Sequence, residues 1–169
     1  MKYDLCILGG CTLDEMYFQN IDGTYNEKPD MVVPGGKGAN QAVAAARLGG
    51  RVSFMAKVGN DHFGSRSIEQ YKSEGIEVEH ILVDNDNPSG VALIMVDAKG
   101  ENCIAVASGA NALLRPEDID KATDTIERGD IVLMQLETPL ETVEYASRIA
   151  RENIGKINRI NNICFCRLN

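Results

Sequence analysis

Residues that bind transition metals are scarce in this sequence. Histidine occurs only twice in 169 residues, at His62 and His80, and the five cysteines show no Cys-x-x-Cys spacing. A structural zinc site needs about four such ligands at short spacings, so the sequence predicts no metal site. Cys6 and Cys103 lie in apolar segments typical of strands, and we expect both to be buried, reduced and without a catalytic role.

Runs of basic residues and long apolar runs are also missing. Acidic residues outnumber basic ones by 25 to 17, which gives a formal net charge of -8 at pH 7. Such a surface repels nucleic acid and anionic membranes, so neither is predicted as a partner. The apolar stretch near the N-terminus, Leu5 to Leu8, is too short for a signal peptide or a spanning helix. These features predict a cytoplasmic protein.

The most distinctive stretch is a glycine-rich loop, Gly-Gly-Lys-Gly-Ala-Asn at residues 35–40, followed by an alanine-rich segment. Glycine accepts positive φ and lets a ligand approach the main chain closely. The alanines favour a slim helix whose first free N–H groups face the loop. Because Lys37 and Asn40 add donors and an acceptor, the loop predicts a site for a small polar ligand, such as a polyol or an anion.

Two well-known nucleotide loops do not fit this stretch. A phosphate-binding P-loop needs glycine six residues before its lysine and Ser or Thr after it, but Met31 and Gly38 occupy those positions. A dinucleotide fingerprint that starts at Gly36 would need glycine where the chain has Gln41. The loop therefore gives no indication of nucleotide binding.

Short apolar runs alternate with helical stretches along the chain, which is the order expected of a parallel sheet covered by helices on both faces. Two stretches, Met16 to Val33 and Gly90 to Val96, are instead typical of exposed antiparallel strands. Helices are predicted from near Asp61 to before Gly75 and from Pro116 onward. The predicted sheet strands are Leu5–Leu8, Val52–Val58, Ile81–Val83, Cys103–Ala107 and Ile131–Leu136.

Another helix is predicted after the segment Thr-Pro-Leu-Glu at 138–141. Here Thr138 would cap the helix, proline would take its first position and Glu141 would complete a capping box. The residues expected on its apolar face have helical spacing. They are Leu140, Val143, Ala146 and Ala150.

The glycine loop and its helix resemble the first signature of the ribokinase-like (PfkB) carbohydrate kinases. Further segments agree with that family in the same order. They are 8–14, 58–64, 90–94, 109–112 and 134–139. The resemblance runs from about Tyr3 to about Asn153. It implies a ribokinase-like three-layer α/β/α fold with a mostly parallel central sheet, here truncated, plus a small β-sheet lid whose strands lie within about 14–34 and 89–97.

The resemblance also implies a sugar site. Its implied substrate-binding residues are Thr12, Asp14, Gly36, Lys37, Gly38, Ala39, Asn40 and Glu137. Asp14 stands just past the carboxyl end of the first strand, where open parallel sheets bind ligands, and its carboxylate can accept hydrogen bonds from two adjacent hydroxyls. Thr12 stands where the family often has Asn, so one sugar contact would be lost or replaced by a hydroxyl. Glu137 would close the opposite wall.

The activity implied by the resemblance is ATP-dependent phosphorylation of ribose at its primary hydroxyl, giving ribose 5-phosphate. ATP and Mg²⁺ would be the cofactors, and the lid sheet would form a homodimer. The glycine loop and Gln135-Leu136-Glu137 favour ribose over fructose, a deoxyaldonate or adenosine, which relatives in the family use. A non-catalytic protein that binds sugar or dimerises through its lid is a further alternative.

Members of the family are nearly twice as long as these 169 residues. Their second half carries an Asn-x-x-Glu segment, the adenine-binding loops, and an Asp-Thr-x-Gly-Ala-Gly-Asp motif with the catalytic base and the anion hole. None of these motifs occurs in this sequence. We therefore expect no catalytic residue, no good ATP or Mg²⁺ site and no kinase activity from these residues alone.

Residues 155–169 read as an atypical tail of a truncated domain spanning 1–169. Isoleucine recurs at every third position, Ile157, Ile160 and Ile163, which matches neither strand alternation nor a good amphipathic helix. The family would continue here into a buried strand. We interpret the tail as a shifted reading frame or an aberrant end after about Asn153.

Overall fold

The computed structural model describes residues 2–154, 156–160 and 163–167, with side chains described for residues 2–151. Its strands are β1 (Leu5–Leu8), β2 (Thr12–Phe18), β3 (Met31–Gly35), β4 (Val52–Gly59), β5 (Ile81–Asp84), β6 (Gly90–Val96), β7 (Asn102–Ala107), β8 (Ile131–Gln135), β9 (Lys156–Ile160) and β10 (Ile163–Arg167). Its helices are α1 (Lys37–Arg47), α2 (His62–Ser73), α3 (Pro116–Asp120), α4 (Thr123–Glu127) and α5 (Leu140–Ile154), with a 3₁₀ turn at Gly109–Leu113.

The central sheet has the order β5-β4-β1-β8-β10-β9. Its first four strands are parallel, with Cys6 of β1 aligned with Ser53 of β4 on one side and Val132 of β8 on the other. Strand β10 is antiparallel to β8, and β9 is antiparallel to β10. The predicted parallel sheet is thus confirmed. The tail differs from expectation, because its backbone pairs as two strands despite the three-residue spacing of isoleucine.

Helices cover both faces of this sheet, which gives three layers. On one face, Ala39, Ala42 and Tyr71 from α1 and α2 pack against Ile7 and Phe54 of the sheet. Helices α3, α4 and α5 cover the other face. The buried side chains on that face include Cys6, Leu8, Val132, Met134, Ile119, Ile126, Val143, Ala146 and Ala150.

A second sheet, β3-β2-β6-β7, stands apart from the central one, and we call it the lid. Strand β6 pairs parallel with β2 and antiparallel with β7, so the segment Gly90–Val96 has one neighbour of each direction. The prediction that Cys103–Ala107 belongs to the parallel sheet is wrong. A tight turn closed by a hydrogen bond from Gly100 N–H to Asp97 O folds β7 back onto β6 as a hairpin. Cys103 is consequently exposed and not buried.

The helix starts agree only partly with the sequence. Helix α2 starts next to Asp61 as predicted, and Asp61 caps it, because its Oδ1 accepts a hydrogen bond from Gly64 N–H at 2.8 Å. The predicted cap at Thr138 is wrong, since its Oγ1 is buried without a partner among the described residues. Leu140 is 60% exposed, so it does not belong to the apolar face, whereas Val143 and the two alanines are buried there. None of the described helices combines the length and apolarity needed to cross a bilayer.

Candidate functional site

The candidate site lies at the topological switch point of the central sheet, where successive strands are added on opposite sides of β1. Strand β1 has β4 on one side and β8 on the other, and ligands bind at the carboxyl ends of strands at such switch points. A cavity of about 490 Å³ opens at this edge. Its lining residues are Thr12, Asp14, Gly36, Lys37, Asn40, Ala92, Ile94, Ile104, Val106, Ser108, Asn111, Leu136 and Glu137. Six of the eight predicted site residues are therefore brought together around one cavity.

Asp14 projects from β2, the strand that leads from the core into the lid. One of its carboxylate oxygens, Oδ1, accepts a hydrogen bond from Thr12 Oγ1 at 2.7 Å, which fixes the orientation of the carboxylate. The same carboxylate occupies the space that a Cβ at Gly35 would need. Glycine at position 35 thus lets the adjacent strand β3 pass directly beside Asp14.

The glycine loop adopts a conformation that requires glycine at Gly36. This residue has φ 92° and stands at the N-cap of α1. A Cβ there would lie 2.7 Å from Cys11 Cα and 2.7 Å from Gly10 O, too close for any side chain. Ala39 N–H donates to Gly10 O at 3.2 Å. The loop therefore packs backbone to backbone on the turn that follows β1.

Gly38 and Ala39 do not line the cavity, so the structure does not bring these two predicted site residues together with the other six. A Cβ at Gly38 would lie 2.8 Å from Gly9 Cα and 2.9 Å from Gln135 Oε1, so this glycine faces the ends of β1 and β8. Ala39 is 2% exposed and belongs to the core cluster under α1. Side chains in the first turn of a helix point in several directions, and in this turn those of Lys37 and Asn40 border the cavity.

Lys37 and Glu137 close one wall of the cavity together. Glu137 Oε2 accepts from the Lys37 backbone N–H at 2.8 Å, and Glu137 Oε1 accepts from Lys37 Nζ at 2.8 Å. One of the N–H groups left free at the start of α1 is satisfied in this way. The lysine keeps further ammonium donors for a ligand, because one of its three N–H bonds is used.

Asn40 offers an unengaged amide to the cavity. It lies in the first turn of α1, three residues after Lys37, and it is exposed. Its side chain makes no hydrogen bond within residues 2–151. A carboxamide carries donors and an acceptor, which suits a hydroxyl that gives and receives hydrogen bonds.

The lid contributes an apolar wall that the sequence analysis did not assign to the site. Ala92, Ile94, Ile104 and Val106 project from β6 and β7 on the same face of the lid as Asp14. Both strands are continuous apolar runs, GVALIMV and NCIAVA, so no pattern within them distinguishes this face from the other. The polar groups and the apolar wall together suit a ligand with hydroxyls on one side and C–H groups on the other.

The thiol next to the site is not a reactive group. Burial, reinforced by the nearby charge of Glu137, raises the pKa of Cys11 to about 12. Its Sγ lies 3.8 Å from Asn111 Oδ1 in the buried turn below the cavity. The thiol therefore stays protonated at neutral pH, and thiolate chemistry is excluded here.

Within the described residues no group of three or more His, Cys, Asp or Glu side chains is placed to hold a metal ion. Neither nucleotide loop sequence is present either. The polar residues that line the cavity, among them Asp14, Lys37 and Asn40, fit a molecule that carries hydroxyl groups.

Comparison with known proteins gives close matches over most of the chain. Residues 5–164 match the pfkB family of carbohydrate kinases. The ribokinase of Haemophilus influenzae is 39% identical over 161 residues, which cover 93% of this chain and 53% of that protein. The deoxyribokinase of Salmonella typhi is 37% identical over 154 residues, which cover 89% of this chain and 50% of that protein. The chain spans about half the length of the curated relatives it matches.

A solved structure shows the same fold. Arabidopsis thaliana ribokinase, determined in complex with ribose and ATP, superimposes with a TM-score of 0.74 and 26% sequence identity. The match covers 88% of this chain and 51% of that one. From the extent of the family match and the shared architecture, the chain belongs to the pfkB family of carbohydrate kinases.

Proposed function

We propose that this chain carries the sugar-binding half and the lid of an ATP-dependent ribose kinase. The observation that supports it best is the convergence of Asp14, Lys37 and Asn40 on one cavity at the switch point of the sheet. Ribokinases from several organisms are among its relatives at 35–40% identity. The reaction would transfer the γ-phosphoryl group of ATP to the primary hydroxyl of ribose.

In this proposal the chain binds and orients the nucleophile. Asp14 accepts hydrogen bonds from two adjacent sugar hydroxyls, since Thr12 holds its carboxylate in place. Asn40 and the free ammonium donors of Lys37 take further hydroxyls. The apolar wall of the lid covers the sugar and excludes water. Holding a reactant in one orientation is a large part of catalysis for phosphoryl transfer.

The remaining parts of phosphoryl transfer are not supplied by these 169 residues. The sequence has no candidate for the family's catalytic base or its anion hole. Loss of general-base assistance alone typically costs about 100- to 10,000-fold in rate. A polypeptide of these residues should therefore bind the sugar but show no ribose-dependent ATP turnover. A coupled assay tests this, and turnover near one per second (roughly the low end for kinases) would contradict it.

Isothermal titration calorimetry with a panel of sugars tests the binding function. Ribose, 2-deoxyribose, fructose and adenosine are titrated into the chain, and we expect ribose to bind most tightly. Deoxyribose is the second candidate, because the Salmonella typhi deoxyribokinase is almost as similar as the ribokinases. A preference for fructose or adenosine would move the chain to another specificity, and no binding by any of them would refute a sugar-binding role.

The proposal also includes a homodimer formed through the lid. Leu93 and Met95, on the face of β6 opposite to the cavity, are 41% and 39% exposed, and Ile104 and Val106 on the cavity face are 52% and 62% exposed. A small sheet with apolar side chains exposed on both faces is stabilised by a partner that covers one of them. A second copy would do so.

A further inference from the structure

Asn111 is one of the most deeply buried polar side chains at the site, and it contacts a turn one hundred residues earlier in the chain. It is 2% exposed. Its Oδ1 accepts a hydrogen bond from Cys11 N–H at 3.1 Å, and its Nδ2 donates to Cys11 O at 2.6 Å. The amide thus pairs with both backbone groups of a single residue, as a neighbouring strand would.

The residue that Asn111 holds supports both polar walls of the cavity. Cys11 immediately precedes Thr12, whose hydroxyl orients Asp14. Gly36 packs so closely on Cys11 that a Cβ there would lie 2.7 Å from Cys11 Cα. Any displacement of the turn would therefore move the Asp14 side and the glycine-loop side of the cavity together.

The same amide shapes the base of the lid. A Cβ at Gly90 would collide with Asn111 Nδ2, so the first residue of β6 has to be glycine to make room for it. Gly90 is the register partner of Thr12 in the β2–β6 pair. Because both amide atoms of Asn111 are engaged with Cys11, its main contribution is to fix this junction and not to bind a ligand directly.

We propose that Asn111 is a positioning residue for the candidate sugar site. It pins the turn at Cys11, and through this turn it sets Thr12, Asp14 and the glycine loop at the spacing that the ligand requires. The identity of the ligand rests on the function proposed above. The claim that Asn111 fixes the turn at Cys11 does not rest on that function, and it can be measured in the absence of sugar.

The test compares Asn111→Leu with a matched control, Thr142→Val. Leucine has nearly the shape of asparagine but leaves Cys11 N–H and O unpaired. Thr142 is fully buried and donates from Oγ1 to Leu114 O at 2.7 Å, at the end of the 3₁₀ turn that carries Asn111. The control therefore loses one buried hydrogen bond from the same segment without touching the cavity.

Hydrogen-exchange mass spectrometry of the sugar-free protein gives the first readout. In Asn111→Leu, peptides covering residues 9–14 and 35–41 should exchange roughly tenfold faster than in the wild type, because a buried hydrogen-bonded pair is lost. In Thr142→Val these peptides should be unchanged. Calorimetry gives the second readout: ribose affinity should fall about tenfold or more in Asn111→Leu, as expected when site groups are misplaced, and stay within about twofold in Thr142→Val.

Equal exchange and equal affinity in the two variants would overturn the proposal. If the wild type binds no sugar, the proposed function fails, while the exchange comparison still decides whether Asn111 holds the turn. Should Asn111→Leu not fold, Asn111→Asp takes its place. This variant keeps an acceptor for Cys11 N–H and loses the donor to Cys11 O, so it should speed exchange in the same two segments.

Discussion

Glu137 accepts two hydrogen bonds from Lys37, one from the backbone N–H and one from Nζ, each at 2.8 Å. The pair joins the first residue of α1 to the segment that follows β8, so it closes the cavity between two parts of the sequence that lie far apart. The lysine side chain is 65% exposed. Exposed ion pairs add little to folding stability, so the contact serves to place the ammonium group.

Replacing Lys37 by Met should therefore weaken sugar binding and leave stability nearly unchanged. A hydrogen bond to a charged group is worth about 1.5 to 3 kcal/mol, which corresponds to roughly 10- to 100-fold in affinity. Calorimetric titration with ribose measures the effect. Lys72→Met on the exposed side of α2 is the matched control and should bind like the wild type. Equal affinity in both variants would show that the ammonium does not contact the ligand.

Asp14→Asn should reduce ribose affinity by about 10- to 100-fold, because the charged acceptor for two hydroxyls becomes a neutral amide with one acceptor oxygen. Glu15→Gln is the control. Glu15 is the next residue of β2, points to the opposite face of the lid and accepts a hydrogen bond from Tyr17. The same loss in both variants would mean that the lid and not the carboxylate is responsible.

Comparing Gly36→Ala with Gly49→Ala separates two contributions to the loss of unfolding free energy, namely the steric clash of a new Cβ and the strain of positive φ. Both glycines have φ near 90°, at 92° and 89°, but a Cβ at Gly49 meets nothing within 4 Å. The alanine at 49 should cost about 1 to 2 kcal/mol for the left-handed conformation alone. The alanine at 36 adds a collision with Cys11 and Gly10, so its unfolding free energy in urea should fall by about 3 kcal/mol or more. Similar values for the two would show that the loop adapts.

The carboxylate of Asp61 should make the lid base sensitive to acid. Burial raises the pKa of Asp61, but hydrogen bonds from the backbone of Ser89 and Gly64 and from the Ser89 hydroxyl outweigh it and hold the pKa below its ordinary value. A depressed pKa gives stability that is present above the ordinary value of 3.8 and is lost as the pH falls below it.

Melting temperatures measured between pH 6 and pH 3 (roughly the range where Asp titrates) test this. Asp61→Asn should be less stable than the wild type at pH 6 and should lose less stability on acidification. Ser89→Ala removes one of the three hydrogen bonds that Asp61 accepts from Ser89 and Gly64. Its loss of stability on acidification should lie between those of the wild type and Asp61→Asn. Parallel curves for the wild type and Asp61→Asn would contradict the assignment.

The proposed dimer should depend on the outer face of the lid. A double change, Leu93→Glu with Met95→Glu, places two charges on β6 and should shift the protein to monomer in sedimentation velocity at micromolar concentration. Leu48→Glu is the control, because Leu48 is 89% exposed at the end of α1, away from the lid. A monomer in the wild type, or a dimer in all three proteins, would count against this interface.

Much of the central architecture could be predicted from local patterns. Apolar runs predicted the strands β1, β4, β5 and β8, because burial on both faces leaves a clear trace in the sequence. The start of α2 was predicted near Asp61. The family resemblance implied that Asp14, Lys37, Asn40 and Glu137 meet at one site, and the structure places all four around one cavity. Their binding to sugar stays a proposal.

Other features depended on contacts that a local pattern does not encode. Cys103 lies at the surface in the lid hairpin, although its segment was predicted in the central sheet. An apolar run in the sequence does not tell which sheet a strand joins. The Thr-Pro-Leu-Glu segment has the pattern of a capping box, yet tertiary packing buries Thr138 Oγ1 without a hydrogen-bond partner in the part of the chain that the structure describes. The sequence marks Asn111 only as a member of the family-like segment 109–112, because its role depends on a residue one hundred positions away.

The position of β1 in the sheet bears on how the molecule folds. This strand lies between β4 and β8 in the sheet, and β8 is far from it in the sequence, so it is synthesised much later. Until Ile131–Gln135 has docked, one edge of an apolar strand stays open to pairing with other chains. High sequence separation between paired strands slows folding, so we expect refolding to be slow and to require dilute conditions, with protection of β1 amides appearing among the last events.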